Sequence, residues 1–401
     1  VLCRSGRHAQ RGGQDGASAA ARAMAATPII RAVSRLITLD DLPDIARGCS
    51  VLGAGGGGEA YTSTLMATQA IADHGPVRLV TYDELPADGI VMACGFLGAP
   101  TVTIEKLSNG NEGAYLREEV ECHRGAPVVA LVCAEIGGSN GMVPFSWGAR
   151  LGLPVLDADG MGRAFPEIQM VTMHLAGIKA SPAVVVDERG HRVTIREAEG
   201  TWAERLERAI AIAVGGIAAS AEYVMTVEEA RRATVPGTVT LAGRIGAAIR
   251  EAATDPVDAL IRTVGAARLM GGKVADIERR IEAGFVRGLV RLDGTRGDAG
   301  RTMEIDIQNE LLVARMDGRV RAMVPDIIAL LDEQTGEAIH TERIRYGQRV
   351  VAIAFPGPPI WRTPIGLETA GPRAFGYDLD YLPVEALNDG VGAWPGEDAL
   401  G

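Results

Sequence analysis

From Thr38 to about Ile217 the chain alternates short, glycine-punctuated apolar runs with stretches of helical period. The runs are Ser50-Val-Leu-Gly, Val77-Arg-Leu-Val-Thr, Gly89-Ile-Val-Met-Ala, Pro127-Val-Val-Ala-Leu-Val-Cys and Leu153-Pro-Val-Leu-Asp. Strands that stay apolar along their length are buried on both faces, as in a parallel or mixed sheet covered by helices. The pattern predicts an α/β layered domain over residues 38–225, with helices over 39–48, 59–74, 113–124 and 202–215. A second helical zone, 226–271, contains Val227-Glu-Glu-Ala-Arg-Arg and Leu241-Ala-Gly-Arg-Ile-Gly and is expected to connect this domain to the next. Beyond Gly272 the apolar period shifts to two. Phe285-Val-Arg-Gly-Leu-Val, Thr302-Met-Glu-Ile-Asp-Ile, Leu311-Leu-Val-Ala, Ile327-Ile-Ala-Leu and Gln348-Arg-Val-Val-Ala are parted by Asp293-Gly, Asp317-Gly and Thr335-Gly turns. That texture predicts a C-terminal, mainly-β, barrel-like domain over 272–385, followed by a polar, glycine-rich and loose tail over 386–401.

Composition adds limits rather than direction. With 401 residues, 47% of them hydrophobic and 23% charged, the chain has the make-up of a globular protein of two or three domains. A formal charge of -11 argues against nucleic acid or an anionic membrane as the main partner, and leaves small metabolites open. No segment reaches the roughly 18 consecutive apolar residues of a membrane span. The five cysteines show neither a CxxC pair nor metal-ligand spacing, and read as buried thiols of a reducing, cytoplasmic compartment. Residues 1–23, with four arginines, one acid and no apolar stretch, read as a segment outside the fold, either upstream sequence or a tag remnant, with a transit peptide as the alternative. Assembly into a homo-oligomer is expected.

The most informative stretch is Leu153-Pro-Val-Leu-Asp-Ala-Asp-Gly-Met-Gly-Arg-Ala-Phe-Pro-Glu167, where a strand runs straight into acids, glycines and an arginine. On a continued strand Asp157 and Asp159 share one face, while Gly160 and Gly162 let the backbone turn sharply and approach a ligand. The plainer reading is a capped strand-to-loop junction. Ala134-Glu-Ile-Gly-Gly-Ser-Asn140 repeats the logic after the strongest apolar run: Glu135 sits at a strand end, and Ser139 and Asn140 offer polar contacts or a helix cap. Gly53-Ala-Gly-Gly-Gly-Gly58 precedes a helix, so the N–H groups of Gly55, Gly56, Gly57 and Gly58 are candidates to cradle an anion. The GxGxxG spacing is met formally, but the dinucleotide and P-loop companions are missing. Glu105 and Lys106 follow a third strand and read equally as a surface ion pair. Of the six histidines only His174, seven residues past Glu167 on an expected helix, could face the carboxylates; a packed histidine is the plainer reading. A divalent metal ion is a candidate cofactor, with Asp157, Asp159 and His174, together with Glu135, its candidate ligands.

Taken together, the glycine run, Glu105-Lys106, Glu135-Ile-Gly-Gly-Ser-Asn140, Asp157-Ala-Asp-Gly-Met-Gly-Arg-Ala-Phe-Pro-Glu167, Gln308-Asn-Glu310, Pro325-Asp326 and Gly371-Pro-Arg-Ala-Phe-Gly376 resemble the S-methyl thiohydantoin desulfurase family over about residues 38–385. The resemblance implies an N-terminal α/β and a C-terminal β domain. It also implies a role in breaking down thiohydantoins from sulfur-containing histidine derivatives, with release of a thiol and a hydantoin left behind. Attack of water on the sulfur-bearing ring carbon needs a base, which Asp157, Asp159 or Glu135 could be, directly or through a metal-bound water. Arg163, the glycine-loop N–H groups, Asn140 and Glu167 are then the candidates to hold an anionic heterocycle. Two other classes stay open: an ATP-dependent hydantoinase or oxoprolinase relative, and a ligand-binding protein without turnover.

Overall fold

The computed structural model describes residues 35–98, 102, 106–196, 199–282 and 285–397. The segment 1–23 and Glu105 lie outside them. The first domain is built on a mixed sheet in the order Arg35–Ile37, Val77–Val80, Val155–Asp159, Val128–Cys133, Ile90–Gly98, Ile217–Ala221, Ala183–Val186 and Arg192–Ile195. The four strands from Val77–Val80 to Ile90–Gly98 are parallel, and the flanking ones are antiparallel. Both faces of the parallel strands are covered, which is why they read as unbroken apolar runs. Met92 and Leu131 pack under Leu116, Val120 and Trp147 of the helices Glu112–Arg124 and Val143–Leu151. Val91, Ala93, Val132 and Leu156 face the other way, into a cluster with Val227, Ala230 and Trp361.

Two expectations change. Ser50-Val-Leu is not a strand but the last turn of the helix Leu42–Leu52, so the glycine run follows a helix. The described part of the stretch expected to be a loose tail, 386–397, packs down: Trp394 is buried, and Gly392 N donates to Gly265 O at 2.9 Å. The zone after 225 forms the helices Val227–Ala233, Thr238–Glu251 and Pro256–Val264, the last two of which share one buried cluster with Leu42 and Ile45 of the first domain and with Ile327, Val351 and Ile353 further along the chain. The first opens on a reciprocal cap in which Thr226 Oγ1 accepts from Glu229 N at 3.2 Å and Glu229 Oε2 from Thr226 N at 2.9 Å. Among the described residues no helix is long and apolar enough to cross a membrane.

The second domain is an antiparallel sheet in the order Arg319–Met323, Glu310–Met316, Thr302–Gln308, Phe285–Gly294, Ala267–Glu282, Arg349–Phe355 and Ile327–Asp332. Its outermost strands, Arg319–Met323 and Ile327–Asp332, are joined by only Val324-Pro-Asp326, so the sheet must curl to bring its edges together. The chain is thus an N-terminal α/β domain with a mostly-β, half-barrel C-terminal domain, as the apolar periods predict.

The helices Leu42–Leu52 and Thr238–Glu251 lie in near backbone contact across two glycines. A Cβ on Gly48 would overlap the Ala242 carbonyl, and one on Gly246 the Asp44 carbonyl. Alanine would gain about 1 kcal/mol of helix propensity at each site, against overpacking that costs about 1–3 kcal/mol when backbone has to move. With a carbonyl as the obstacle, overpacking wins. Gly48→Ala and Gly246→Ala are each expected to lower the urea midpoint with an unchanged slope, and a raised midpoint would contradict this packing.

Candidate active site

Two strand ends meet at the carboxyl edge of the parallel sheet, where ligands bind in open α/β folds. One belongs to Val128–Cys133 and carries Glu135; the other belongs to Val155–Asp159. Asp159 ties them together. Its Oδ2 accepts from Ile136 N at 2.8 Å on the first loop, and from Met161 N at 2.9 Å and Gly162 N at 2.7 Å on the second. Burial pushes its carboxyl up to about 7 despite those N–H groups. The fit is so close that a Cβ on Gly137 would collide with Ala164 and Gly53. Asp157 turns to the helix behind: Oδ1 accepts from Val239 N at 3.0 Å and Thr240 N at 3.1 Å, and Oδ2 from Thr240 Oγ1 at 2.5 Å.

In front of the loops lies a cavity of about 100 Å³. Phe96, Met161, Phe165 and Ile217 give it apolar walls, and Glu135, Glu167, Glu222 and Glu310 bring four carboxyls to it. Glu135 is held by Asn140, whose Nδ2 donates to its Oε1 at 2.7 Å. Asn140 is in turn fixed to Phe96, accepting from its N at 2.8 Å and donating to its O at 3.0 Å. The second oxygen of Glu135 has no hydrogen-bond partner, and the residue is only 8% exposed. Burial, reinforced by Asp159, pushes its carboxyl up to about 8, against the pull of Asn140, the Phe165 backbone N–H and Arg163. Glu222 is pushed to about 7 by burial, with Ser220 opposing, and its Oε2 is likewise unpartnered. Arg208, held by Glu204 at 2.7 Å, is the cationic side chain among the described lining residues.

Of the residues expected at the site, Glu135, Asn140, Glu167, Gly57 and Gly58 line this cavity. Asp157, Asp159, Arg163, Gly55 and Gly56 do not. Asp157 is occupied by Val239 N and by the backbone and hydroxyl of Thr240, and Asp159 holds its three backbone donors on Oδ2 while its buried Oδ1 has no hydrogen-bond partner. Arg163 is fully buried at the domain boundary, donating from Nε to Ala164 O at 2.9 Å and from Nη1 to Pro325 O at 2.9 Å and Asp326 O at 2.8 Å. The Gly55 carbonyl accepts from Thr341 N at 2.9 Å, and Gly56 lies against the Glu310 carboxyl. The glycine run therefore docks on the second domain. His174 sits in a four-residue helix, Thr172–Leu175, after irregular chain, so no i to i+7 face forms; it lines a separate cavity with His123 and Arg196. Among the described residues no three His, Cys, Asp or Glu side chains converge as metal ligands, so Asp157, Asp159, Glu135 and His174 do not form the expected set. Glu222, which follows an apolar strand with no local mark, is not among the residues expected from the sequence, and Glu310 enters there only within the motif Gln308-Asn-Glu310, with no role.

A carboxyl raised to about 8 in the fold against an ordinary 4.5 has a definite stability signature. Its folded form binds the proton more tightly, so its contribution is complete below about pH 4.5 and is lost as pH rises through about 8. Glu135→Gln, which stays neutral, is expected to gain melting temperature over the parent as pH goes from about 5 to 9. A gap that stays constant or shrinks would mean that Glu135 is ionised and satisfied in the fold.

Known proteins can now be set beside this geometry. No protein of curated function matches the chain. A crystal structure of a protein from Chromobacterium violaceum, solved by structural genomics, superposes with a TM-score of 0.72 at 23% identity, covering 87% of this chain and 100% of that one, which speaks for the fold alone. Residues 40–197 match the model of the S-Me-THD-like N-terminal domain, and 198–384 that of the S-Me-THD-like C-terminal domain. The chain belongs to the S-Me-THD-like family, the S-methyl thiohydantoin desulfurase family that its motifs resemble.

Proposed function

We propose that the chain hydrolyses the carbon–sulfur bond of a thiohydantoin or S-methyl thiohydantoin, releasing hydrogen sulfide from the first or a thiol from the second and leaving a hydantoin, in the breakdown of sulfur-containing histidine derivatives. Family membership supports the substrate class, and the cavity supports the chemistry. Phe96 and Phe165 in its lining offer apolar surface to a flat ring, and Glu135, Glu167, Glu222 and Glu310 offer acceptors to ring N–H groups. An acidic substituent would be read by Arg208 rather than by Arg163, whose donors mostly serve backbone carbonyls.

The observation that carries the reading is Glu135. It is a strand-end carboxyl aligned by Asn140, with its other oxygen free and its proton held with an affinity close to neutral pH. Those are the properties of a general base. It would take a proton from water as the water attacks the ring carbon bearing sulfur. A thiolate leaves readily, so the hard step is activation of the water. The aspartates at the head of the motif would contribute by holding the loops in place.

Since only ionised Glu135 can act as the base, kcat/KM for thiol release is expected to have a rising limb with its midpoint near pH 8. Glu135→Gln is expected to cost about 10²–10⁴ in rate and to abolish that limb. Thiol release that is flat in pH, or that survives in the variant, would remove Glu135 from the reaction.

A further inference from the structure

We propose that Glu310, reaching in from the C-terminal domain, is a second catalytic carboxyl that works opposite Glu135 as the acid of the hydrolysis. The inference deepens the desulfurase reading above and rests on it. Glu310 opens the strand Glu310–Met316, just after Asn309, which holds a left-handed φ of +56°. That turn is pinned on both sides: Asn309 Oδ1 accepts from Val286 N at 2.9 Å, and Thr341 Oγ1 donates to Asn309 O at 2.6 Å. Leu311 N donates to Ala54 O at 2.8 Å, so the residue after Glu310 is fixed to the first domain. The Glu310 carboxyl then fills the space over Gly56, where a Cβ would overlap it.

Glu310 is 2% exposed and lines the same cavity as Glu135, and each has an Oε2 with no hydrogen-bond partner. A buried carboxyl with one oxygen lacking a donor favours the neutral or the charge-compensated form. The compensating charge is Arg163, whose Nη2 has no partner and whose guanidinium interacts with Glu310, Asp326 and Glu135. Asp326 already has Arg362 at 2.6 Å, which leaves one shared cation for the two glutamates. Glu342 adds a further negative charge near Glu310; Glu167, Glu222 and Arg208 are the remaining charged groups lining the cavity. Burial first, then Glu135, raises Glu310 well above the ordinary range. Glu310, raised by burial and by Glu135, is therefore the carboxyl that keeps its proton, with Glu135 ionised and Glu310 protonated in the working form.

The cycle balances on an S-methyl thiohydantoin. Water oxygen bonds to the ring carbon as Glu135 takes one water proton. The carbon–nitrogen π pair moves onto the ring nitrogen, which takes the proton of Glu310. The tetrahedral intermediate then returns its hydroxyl proton to Glu310 as the carbonyl forms. The carbon–sulfur bond breaks, and methylthiolate leaves with the proton held by Glu135. One water is consumed, methanethiol and hydantoin are formed, and both glutamates regain their starting states.

The test follows methanethiol release by the full chain from S-methyl thiohydantoin, with calorimetric binding of hydantoin as the check on folding. Glu310→Gln is expected to lower kcat at least about a hundredfold, with KM and hydantoin affinity within about threefold, and to lose the alkaline falling limb of the pH profile. Glu310→Asp, which keeps an acid, is expected to recover at least about tenfold over Glu310→Gln. Near-normal release by Glu310→Gln, or equal losses in the two variants, would overturn the role. Should Glu310→Gln fail to fold, Glu310→Asp decides alone: a displaced alkaline limb supports the acid, and an unmoved one overturns it. If the parent chain releases no thiol from either ring, the desulfurase reading itself fails and the role of Glu310 falls with it.

Discussion

The site depends on one buried carboxylate that does no chemistry in this account. Asp159 gathers three backbone N–H groups from two loops that are far apart in sequence, those after Val128–Cys133 and Val155–Asp159. It reinforces the backbone link at the same place, where Gly160 N donates to Cys133 O at 3.2 Å and to Ala134 O at 3.1 Å. Burying a charge is costly, and the rise of the Asp159 carboxyl to about 7 shows that its donors do not fully repay that cost. What is gained is position. Glu135 lies one residue before the first donor, and Arg163 one residue after the last.

From there the constraint spreads to the second domain. Arg163 stacks on Phe165 at 4.4 Å and donates to the Pro325 and Asp326 carbonyls. Trp361 meets Phe165 edge-on at 4.8 Å and donates from Nε1 to Met161 O at 2.7 Å. Asp326, just past the Arg163 contacts, collects Arg362, Tyr381 and the backbone of Val384 and so braces the C-terminal domain. The long Asp-to-Glu motif is thus mainly a clamp between domains. By closing the boundary, it brings Glu310 of one domain to the cavity that Glu135 of the other already lines.

This division explains what the sequence could and could not disclose. The four parallel strands were legible because burial on both faces leaves an apolar run that polar periodicity cannot mimic. Ser50-Val-Leu failed because three apolar residues fit a helix end as well as a strand. The strands Ala183–Val186 and Ile217–Ala221 passed unseen, the first because it is only four residues long and the second because it is mostly alanine and serine. At the site, residue types were right and partners were invisible. Asp157 and Glu135 are both strand-end acids, and only the fold reveals that Thr240, 83 positions away, claims one while Asn140 leaves an oxygen of the other free. The seven-residue spacing to His174 carried no weight once the intervening chain proved irregular. Glu310 could be noticed through the family motif, but not placed: its role depends on a glycine more than two hundred positions earlier.

The central claim is that two glutamates from different domains hold the reacting ring, while the aspartates hold the frame. A crystal structure of the chain with bound hydantoin tests it directly. The ring is expected in the cavity lined by Phe96 and Phe165, within hydrogen-bond reach of Glu135 and Glu310, with Asp157 and Asp159 still on their present donors. Hydantoin bound against either aspartate, or in the separate cavity of His123 and His174, would contradict it.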